Sequence, residues 1–157
     1  MRPALQASLP ATISPAAADI LRGAARLLHE MDHVVLPEFT LATGRRADIL
    51  ALGADGCFSI VEIKSCRQDF MSDGKWPEYL GFADRFYFAV APEFPLAILP
   101  EAEGLILADR FEGELVRPAQ HRPLAAARRR ALLLRFARTA AMRLQGMADP
   151  GPELGSF

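Results

Sequence analysis

Apolar residues recur along the chain with two periods, one typical of helices and one typical of strands. Ser14 and Pro15 have the character of a helix N-cap and a first helical position, and the apolar residues from Ile20 to Met31 follow at helical spacing. A second long helix is predicted over Pro123–Gln145. Six shorter apolar runs predict strands: HVVLPEFTLA, ADILALG, CFSIVEIKS, RFYFAV, GLILAD and GELVRPA.

The segments between these runs predict how the strands are connected. Only TGRR and ADG separate the first three strands, so these strands should form an antiparallel meander, and Pro37 favours an edge position for the first. The segment from Asp69 to Leu80 is divided by Gly74 and Pro77 into short helical pieces, and the last two strands are typical of a hairpin. The order α-β-β-β-α-β-β-β-α therefore predicts one mixed α/β (α+β) domain.

Length and composition bound the domain organisation. A chain of 157 residues, about half of them hydrophobic, has the size of one domain with a substantial core. We expect a flexible arm over residues 1–13, one domain over 14–145 and a disordered Pro- and Gly-rich tail over 146–157. The apolar segments match neither a signal peptide nor a membrane helix, so we expect a cytoplasmic protein whose Cys57 and Cys66 are reduced thiols.

Charge is distributed unevenly along the chain although the formal net charge is only −1. The segment from Leu115 to Ala148 holds eight arginines and no acidic residue, which is typical of a segment that contacts a polyanion. On the predicted helix, Arg128, Arg135 and Arg138 share one face, opposite an apolar face. This face either binds DNA phosphates or is an ordinary solvated surface whose arginines pair with acidic residues elsewhere in the chain.

The run FSIVEIKSC carries two charges inside an otherwise apolar strand. Because side chains alternate across a strand, Glu62 and Lys64 should point to one face, and Val61 and Ile63 to the other. Buried charges are costly unless they are paired. The two residues either form an ion pair at a solvated edge or take part in chemistry.

Asp48 offers a partner for Glu62. It lies 14 residues earlier, at the start of the preceding predicted strand, so the two carboxylates can meet across an antiparallel pair. Two carboxylates suit a hard cation such as Mg²⁺, and Lys64 on the same face could hold or activate a water beside it. This combination is suited to phosphodiester hydrolysis.

These residues also carry a family resemblance. RADILALG followed by FSIVEIKS resembles the Asp…Glu-x-Lys signature of the PD-(D/E)XK nuclease superfamily, and DFMSDGKWPEYLGFADRFYFAV is similar to the MmcB-type DNA-repair proteins within it. The similarity extends over roughly Ser14 to Met142. It implies a restriction-endonuclease-like core, with a central mixed sheet flanked by helices, and a role on DNA in repair that depends on Mg²⁺ (or Mn²⁺).

Carried over by position, the resemblance implies a role for each site residue. Asp48 and Glu62 would bind the metal and act with Lys64 in catalysis. An additional acid from the first helix would be Glu30, although Glu38 on the first strand competes for that role.

The segment after the lysine resembles a Gln-x-x-x-Tyr pattern of related nucleases, here Lys75 to Tyr79 with lysine in place of glutamine. Lys75 and Tyr79 would contact the substrate, and the lysine implies either a phosphate contact or altered cleavage. Trp76, Tyr79 and Phe82 either stack on a base or pack in the core. Asp69 and Asp73 either cap the short helix or lie near the metal.

Two other functions remain open. The chain could keep this fold without turnover, as a repair accessory that binds DNA or other repair proteins. His29 to His33 also fits the H-E-x-x-H pattern of zinc hydrolases, but that pattern needs one continuous helix, and we expect the helix to end near Met31.

Overall fold

The computed structural model describes residues 13–151, which belong to two compact units, residues 1–123 and 124–157. The described part of the first unit, residues 13–123, contains two α-helices, six strands and two 3₁₀ helices at Trp76–Phe82 and Leu96–Ile98. The second contains one long helix. In chain order the α-helices and strands are α1 (Pro15–Glu30), β1 (His33–Thr40), β2 (Arg46–Gly53), β3 (Phe58–Lys64), α2 (Arg67–Ser72), β4 (Arg85–Val90), β5 (Gly104–Ala108), β6 (Gly113–Arg117) and α3 (Ala126–Ala148).

The six strands form one mixed sheet in the order β1-β2-β3-β4-β5-β6. β1, β2 and β3 are antiparallel neighbours, β3 pairs in parallel with β4 and β4 with β5, and β5 and β6 close the sheet as an antiparallel hairpin. The parallel step from β3 to β4 is crossed by α2 and the first 3₁₀ helix, as a parallel connection requires. The predictions of a meander, of an edge position for β1 and of a mixed α/β fold are confirmed, and the sheet is consistent with a restriction-endonuclease-like core.

Helix α1 covers one face of the sheet. Ser14 caps it by accepting a hydrogen bond at 3.2 Å from the backbone N–H of Ala17, as its sequence predicted. Its apolar stripe packs against the odd-numbered positions of β3, Val61 and Ile63, and against other buried side chains of the sheet. The helix also approaches the β5–β6 connection closely, because a Cβ added to Gly23 would lie 2.1 Å from the carbonyl oxygen of Asp109.

Aromatic side chains cover the other face. Trp76 stacks on Phe86 with ring centroids 5.6 Å apart, and Tyr79 stacks on the same ring at 6.4 Å. Phe88 meets both Phe86 and Phe70 edge to face, at 5.1 and 5.6 Å. The prediction that Trp76 and Tyr79 pack in the core is therefore confirmed, and these contacts hold the first 3₁₀ helix beside β3 and β4.

Helix α3 begins and ends three residues later than predicted. Leu124 and Ala125 follow Pro123 before the first helical residue, and neither has a capping side chain that would have marked the boundary in the sequence. At the other end, residues 146–148, which were expected to belong to the tail, are the last residues of the helix. The expected arm over residues 1–12 and the tail over 152–157 lie outside the described residues. Within the described part of the chain, no helix is long and apolar enough to span a membrane.

Candidate functional site

The candidate site lies where the sheet opens between β2 and β3. Their registered pairs run from Leu52–Phe58 to Ile49–Val61 and end there. Beyond that point β2 stays paired with β1 as far as Arg46, while β3 stays paired with β4 as far as Lys64. Each strand is thus still held by its other neighbour, and side chains of β2 and β3 fill the gap between the two strands.

Asp48 and Glu62 bridge this gap with their side chains. Glu62 Oε1 accepts a hydrogen bond at 3.1 Å from the backbone N–H of Asp48, and Asp48 Oδ2 accepts one at 2.8 Å from the backbone N–H of Ile63. The two carboxylates therefore replace the carbonyl oxygens that a continuous ladder would supply. The prediction that Asp48 and Glu62 converge on one face of the sheet is confirmed.

The two carboxylates are costly to ionise because the site is poorly solvated. Glu62 is only 5% exposed, and its burial, followed by the nearby charge of Asp48, raises its pKa to about 8. Burial likewise raises the pKa of Asp48 to about 6, against the hydrogen bond from Ile63 and the charge of Lys64. A divalent cation between them would reverse this cost.

Lys64 reaches the same site but pairs with Asp73. Its ammonium Nζ lies 2.5 Å from Asp73 Oδ2, and its side chain is 5% exposed. Although partial burial opposes it, the Lys64 ammonium and the Lys75 N–H hold the pKa of Asp73 below its usual value. The alternative of a Glu62–Lys64 ion pair at a solvated edge is wrong, because β3 is an interior strand with every residue buried.

Glu38, and not Glu30, lines the cleft that holds Asp48 and Glu62. Glu38 lies on β1 with a left-handed φ of 50°, lines the cleft beside Asp48, and forms a 3.1 Å ion pair with Arg46. Such a φ is costly for a residue other than glycine and is found most often at functional sites. Glu30 is exposed at the far end of α1, about 20 Å along the axis from Ala17, the α1 residue that lines the cleft. The assignment of Glu30 as a metal ligand is therefore wrong.

The cleft itself has a volume of about 350 Å³. Its walls come from the start of α1, from β1, β2 and β3, and from the segment after β3. Asp69 lines it and accepts a hydrogen bond at 3.0 Å from the backbone N–H of Ser65, so it both orders this segment and adds negative charge near Asp48. The sequence left two alternatives for Asp69 and Asp73, a cap on the short helix or a position near the metal. Both residues lie close to the carboxylate pair.

Tyr79 has a positioning role that its sequence did not indicate. It is 6% exposed, and its hydroxyl donates a 2.9 Å hydrogen bond to the backbone carbonyl of Arg46, two residues before Asp48. Burial, and then the charges of Glu62 and Asp48, raise the pKa of Tyr79 to about 12, so it stays protonated. Tyr79 thus fixes the start of β2, and its burial leaves little of it accessible for the substrate contact that was expected. Lys75, the other expected contact, is exposed.

One residue of the site was overlooked in the sequence, and the partner of Lys64 was not predicted. Arg46 lines the cleft, and strand alternation could have identified it, because it precedes Asp48 by two positions and shares its face. The pairing of Asp73 with Lys64 depends on the path of the chain after α2, which has no sequence signal.

The H-E-x-x-H pattern does not form a metal site. Helix α1 ends at Glu30, so His29 lies on the helix while His33 begins β1. His33 Nδ1 is within hydrogen-bond distance, 2.9 Å, of the Met31 carbonyl. The zinc hydrolase alternative based on His29 and His33 is therefore wrong.

The donor set at the cleft fits a hard divalent cation. Asp48 and Glu62 supply carboxylate oxygens, and Glu38 lies near enough to act on the charge of Asp48. Among the described residues, neither Asp48 nor Glu62 has an arginine or lysine partner within ion-pair distance. Buried carboxylates without such a partner are a costly arrangement unless a cation joins them.

Comparison with protein families identifies the family of this chain. The sequence model of a family described as DNA repair protein MmcB-like matches residues 6–151. The SPO1766 protein of unknown function from Silicibacter pomeroyi, whose structure is solved, is 41% identical, with 92% of this chain and 99% of that chain covered and a TM-score of 0.85. No curated protein matches significantly. Since the family model covers nearly the whole length, the chain belongs to the MmcB-like family of DNA repair proteins.

Proposed function

We propose that the chain is a Mg²⁺-dependent (or Mn²⁺-dependent) nuclease that hydrolyses phosphodiesters in damaged or branched DNA. The observation that carries this proposal is the opened strand pair, which brings the half-buried carboxylate of Asp48, the buried carboxylate of Glu62 and the buried Lys64 to one cleft. Family membership supports a role in DNA repair and leaves the chemistry to the site.

Each residue of the cleft has a distinct part in this reaction. Asp48 and Glu62 would hold the cation, with their backbone hydrogen bonds fixing the direction of each carboxylate. Bound Mg²⁺ would supply Lewis-acid stabilisation of the charge that develops on a phosphodiester. Lys64 would orient a water or stabilise the phosphate, and its ion pair with Asp73 would hold the ammonium in place.

The substrate class follows from charge. A cleft lined by several carboxylates repels a phosphodiester until a cation is bound, so metal binding and DNA binding should be coupled. Helix α3, described by itself, carries six arginines and no acidic residue, and Arg128, Arg135 and Arg138 are exposed. These arginines, together with exposed Lys75, would contribute nonspecific affinity for the DNA backbone.

One observation favours a second function, a DNA- or protein-binding repair accessory without turnover. The Lys64 ammonium is neutralised by Asp73 at 2.5 Å, an arrangement that could serve stability alone. Such a protein would bind DNA or another repair protein through the same fold but leave phosphodiesters intact.

A cleavage panel distinguishes the two. Purified protein is incubated with labelled single-stranded, nicked, flapped and branched DNAs, with Mg²⁺, with Mn²⁺ or with a chelator. Cleavage that needs the cation and is lost in Asp48→Asn, with Asp19→Asn as the control on α1, supports the nuclease. DNA binding without cleavage under every condition refutes the nuclease and supports the accessory.

A further inference from the structure

A second group of metal-ligating side chains lies at the other end of β3. Cys57 immediately precedes β3, Asp84 immediately precedes β4, and His121 follows β6. Because β3 is extended, Cys57 is about 17 Å along the strand from Glu62. The group is therefore separate from the Asp48–Glu62 cleft.

The three side chains converge on one point. One potential ligand atom from each residue lies within 4.8 Å of the others, and Cys57 Sγ is 3.9 Å from His121 Nε2. In a tetrahedral zinc site, bond lengths of about 2.3 Å to sulfur and 2.0 Å to nitrogen put these two atoms about 3.5 Å apart. The Cys57–His121 pair is thus close to binding geometry, and exposed His121 can close the difference by a side-chain rotation.

Backbone hydrogen bonds hold the three residues in register. The Asp84 N–H donates to the Phe58 carbonyl at 2.9 Å, and the Phe58 N–H donates back to Asp84 Oδ2 at 2.7 Å. The Arg122 N–H donates to the Asp84 carbonyl at 2.8 Å, which ties the segment carrying His121 to the start of β4.

The same segment is held again by an ion pair whose carboxylate is buried. The Arg122 guanidinium donates to both carboxylate oxygens of Glu103, at 2.9 and 3.1 Å, and Glu103 is only 3% exposed. Most of the entropy cost of assembling the group is therefore met by the fold, before any ligand binds.

We propose that Cys57, Asp84 and His121 form a second metal site, for Zn²⁺ or a divalent ion of similar softness. One thiolate, one imidazole and one carboxylate are the donor types that Zn²⁺ accepts, whereas Mg²⁺ avoids sulfur and prefers oxygen. Three protein ligands leave the fourth position to water or another small ligand. No part of this inference rests on the proposed nuclease activity.

A nucleophilic thiol is the competing interpretation of the same residues. Burial, and then the carboxylates of Asp84 and Asp55, raise the pKa of the Cys57 thiol, which disfavours a reactive thiolate at neutral pH. A cation bound by the same carboxylate would favour the thiolate as a ligand. The three ligand atoms converge as a metal requires, and this geometry is the reason to favour a metal.

Cobalt titration tests the site, because Co²⁺ bound to a thiolate gives a charge-transfer absorption band. The full chain is stripped with a chelator and titrated with Co²⁺ in the presence of excess Mg²⁺, which competes at the Asp48–Glu62 cleft. The matched control is Cys66→Ser, since Cys66 is the second free cysteine and is exposed outside the group.

We expect a 1:1 band in the wild type and in Cys66→Ser, displaced by Zn²⁺ and absent in Cys57→Ser. His121→Ala lies at an exposed position and should not affect folding. It should weaken Co²⁺ binding at least about 10-fold, because even residues that only hydrogen-bond to a metal ligand typically cost that much when they are replaced. A wild type without the band, a band that persists in Cys57→Ser, or unchanged affinity in His121→Ala would overturn the proposal.

Discussion

Replacing Glu62 by glutamine should stabilise the metal-free protein near neutral pH. The substitution removes the group that must stay protonated on folding but keeps a side-chain oxygen that can accept the hydrogen bond from the Asp48 N–H. Folding raises the pKa of Glu62 from 4.5 to about 8, so between these values the folded state holds more protons than the unfolded state. The free energy of unfolding of the wild type must therefore fall as pH rises through that window.

The size of the effect follows from the same two values. From pH 4.5 to pH 7 the folded state must keep a proton that the unfolded state gives up, which at about 1.4 kcal/mol per pH unit amounts to roughly 3 kcal/mol. Glu62→Gln should recover on the order of this amount at pH 7 and little near pH 4.5. Adding Mg²⁺ should stabilise the wild type more than the variant, because the cation needs the carboxylate.

Urea unfolding at several pH values, with a chelator present, measures this difference. Glu101→Gln is the matched control, because it removes an equivalent charge from an exposed position and should change stability by less than about 0.5 kcal/mol. A Glu62→Gln variant that is less stable than the wild type at pH 7, or a difference that is constant with pH, would refute this reasoning.

Three further predictions test the frame around the site. Tyr79→Phe should lower the free energy of unfolding by about 1 kcal/mol, measured by urea unfolding, because it removes the part-buried hydrogen bond to the Arg46 carbonyl; an unchanged value would contradict this. Gly23→Ala should lower the melting temperature, because its Cβ would overlap the Asp109 carbonyl and overpacking typically costs about 1 to 3 kcal/mol; a melting temperature equal to the wild type's would show that the close approach is relieved easily. Replacing Arg128, Arg135 and Arg138 of α3 together by uncharged residues should weaken DNA binding and flatten its salt dependence, measured by fluorescence anisotropy. An unchanged salt slope would show that these residues are only a solvated face.

The sequence predicted the strands and the carboxylate pair because both depend on local rules. Alternation in β3 put Glu62 and Lys64 on one face, and the short turn after β2 made Asp48 the cross-strand neighbour of Glu62. The Ser14-Pro15 cap likewise located the start of α1. In each case the determining contacts are close in sequence or fixed by strand pairing.

What the sequence could not show depends on how distant segments meet. Only the folded chain shows that α1 turns its first residues to the cleft, which excludes Glu30, and that Lys64 finds its partner in Asp73. The Cys57, Asp84 and His121 group joins three segments separated by long intervals, and none of the spacings resembles a metal-binding motif. The left-handed backbone conformation of Glu38 could not be predicted either, because the residue that usually marks such a conformation is glycine and position 38 has a glutamate.

Single-turnover cleavage by Lys64→Met tests most directly the claim that this cleft carries out phosphodiester hydrolysis. Asp73 is 25% exposed, so water can hydrate its carboxylate when the lysine is replaced, and a thermal melt run in parallel verifies the fold. Lys75, the chain's second lysine and an exposed one, supplies the control Lys75→Met, which should leave the rate at saturating protein unchanged. The account predicts a loss of about 10²- to 10⁴-fold in Lys64→Met, with Mg²⁺ or Mn²⁺ present. Equal rates for a folded Lys64→Met variant and the wild type would contradict it.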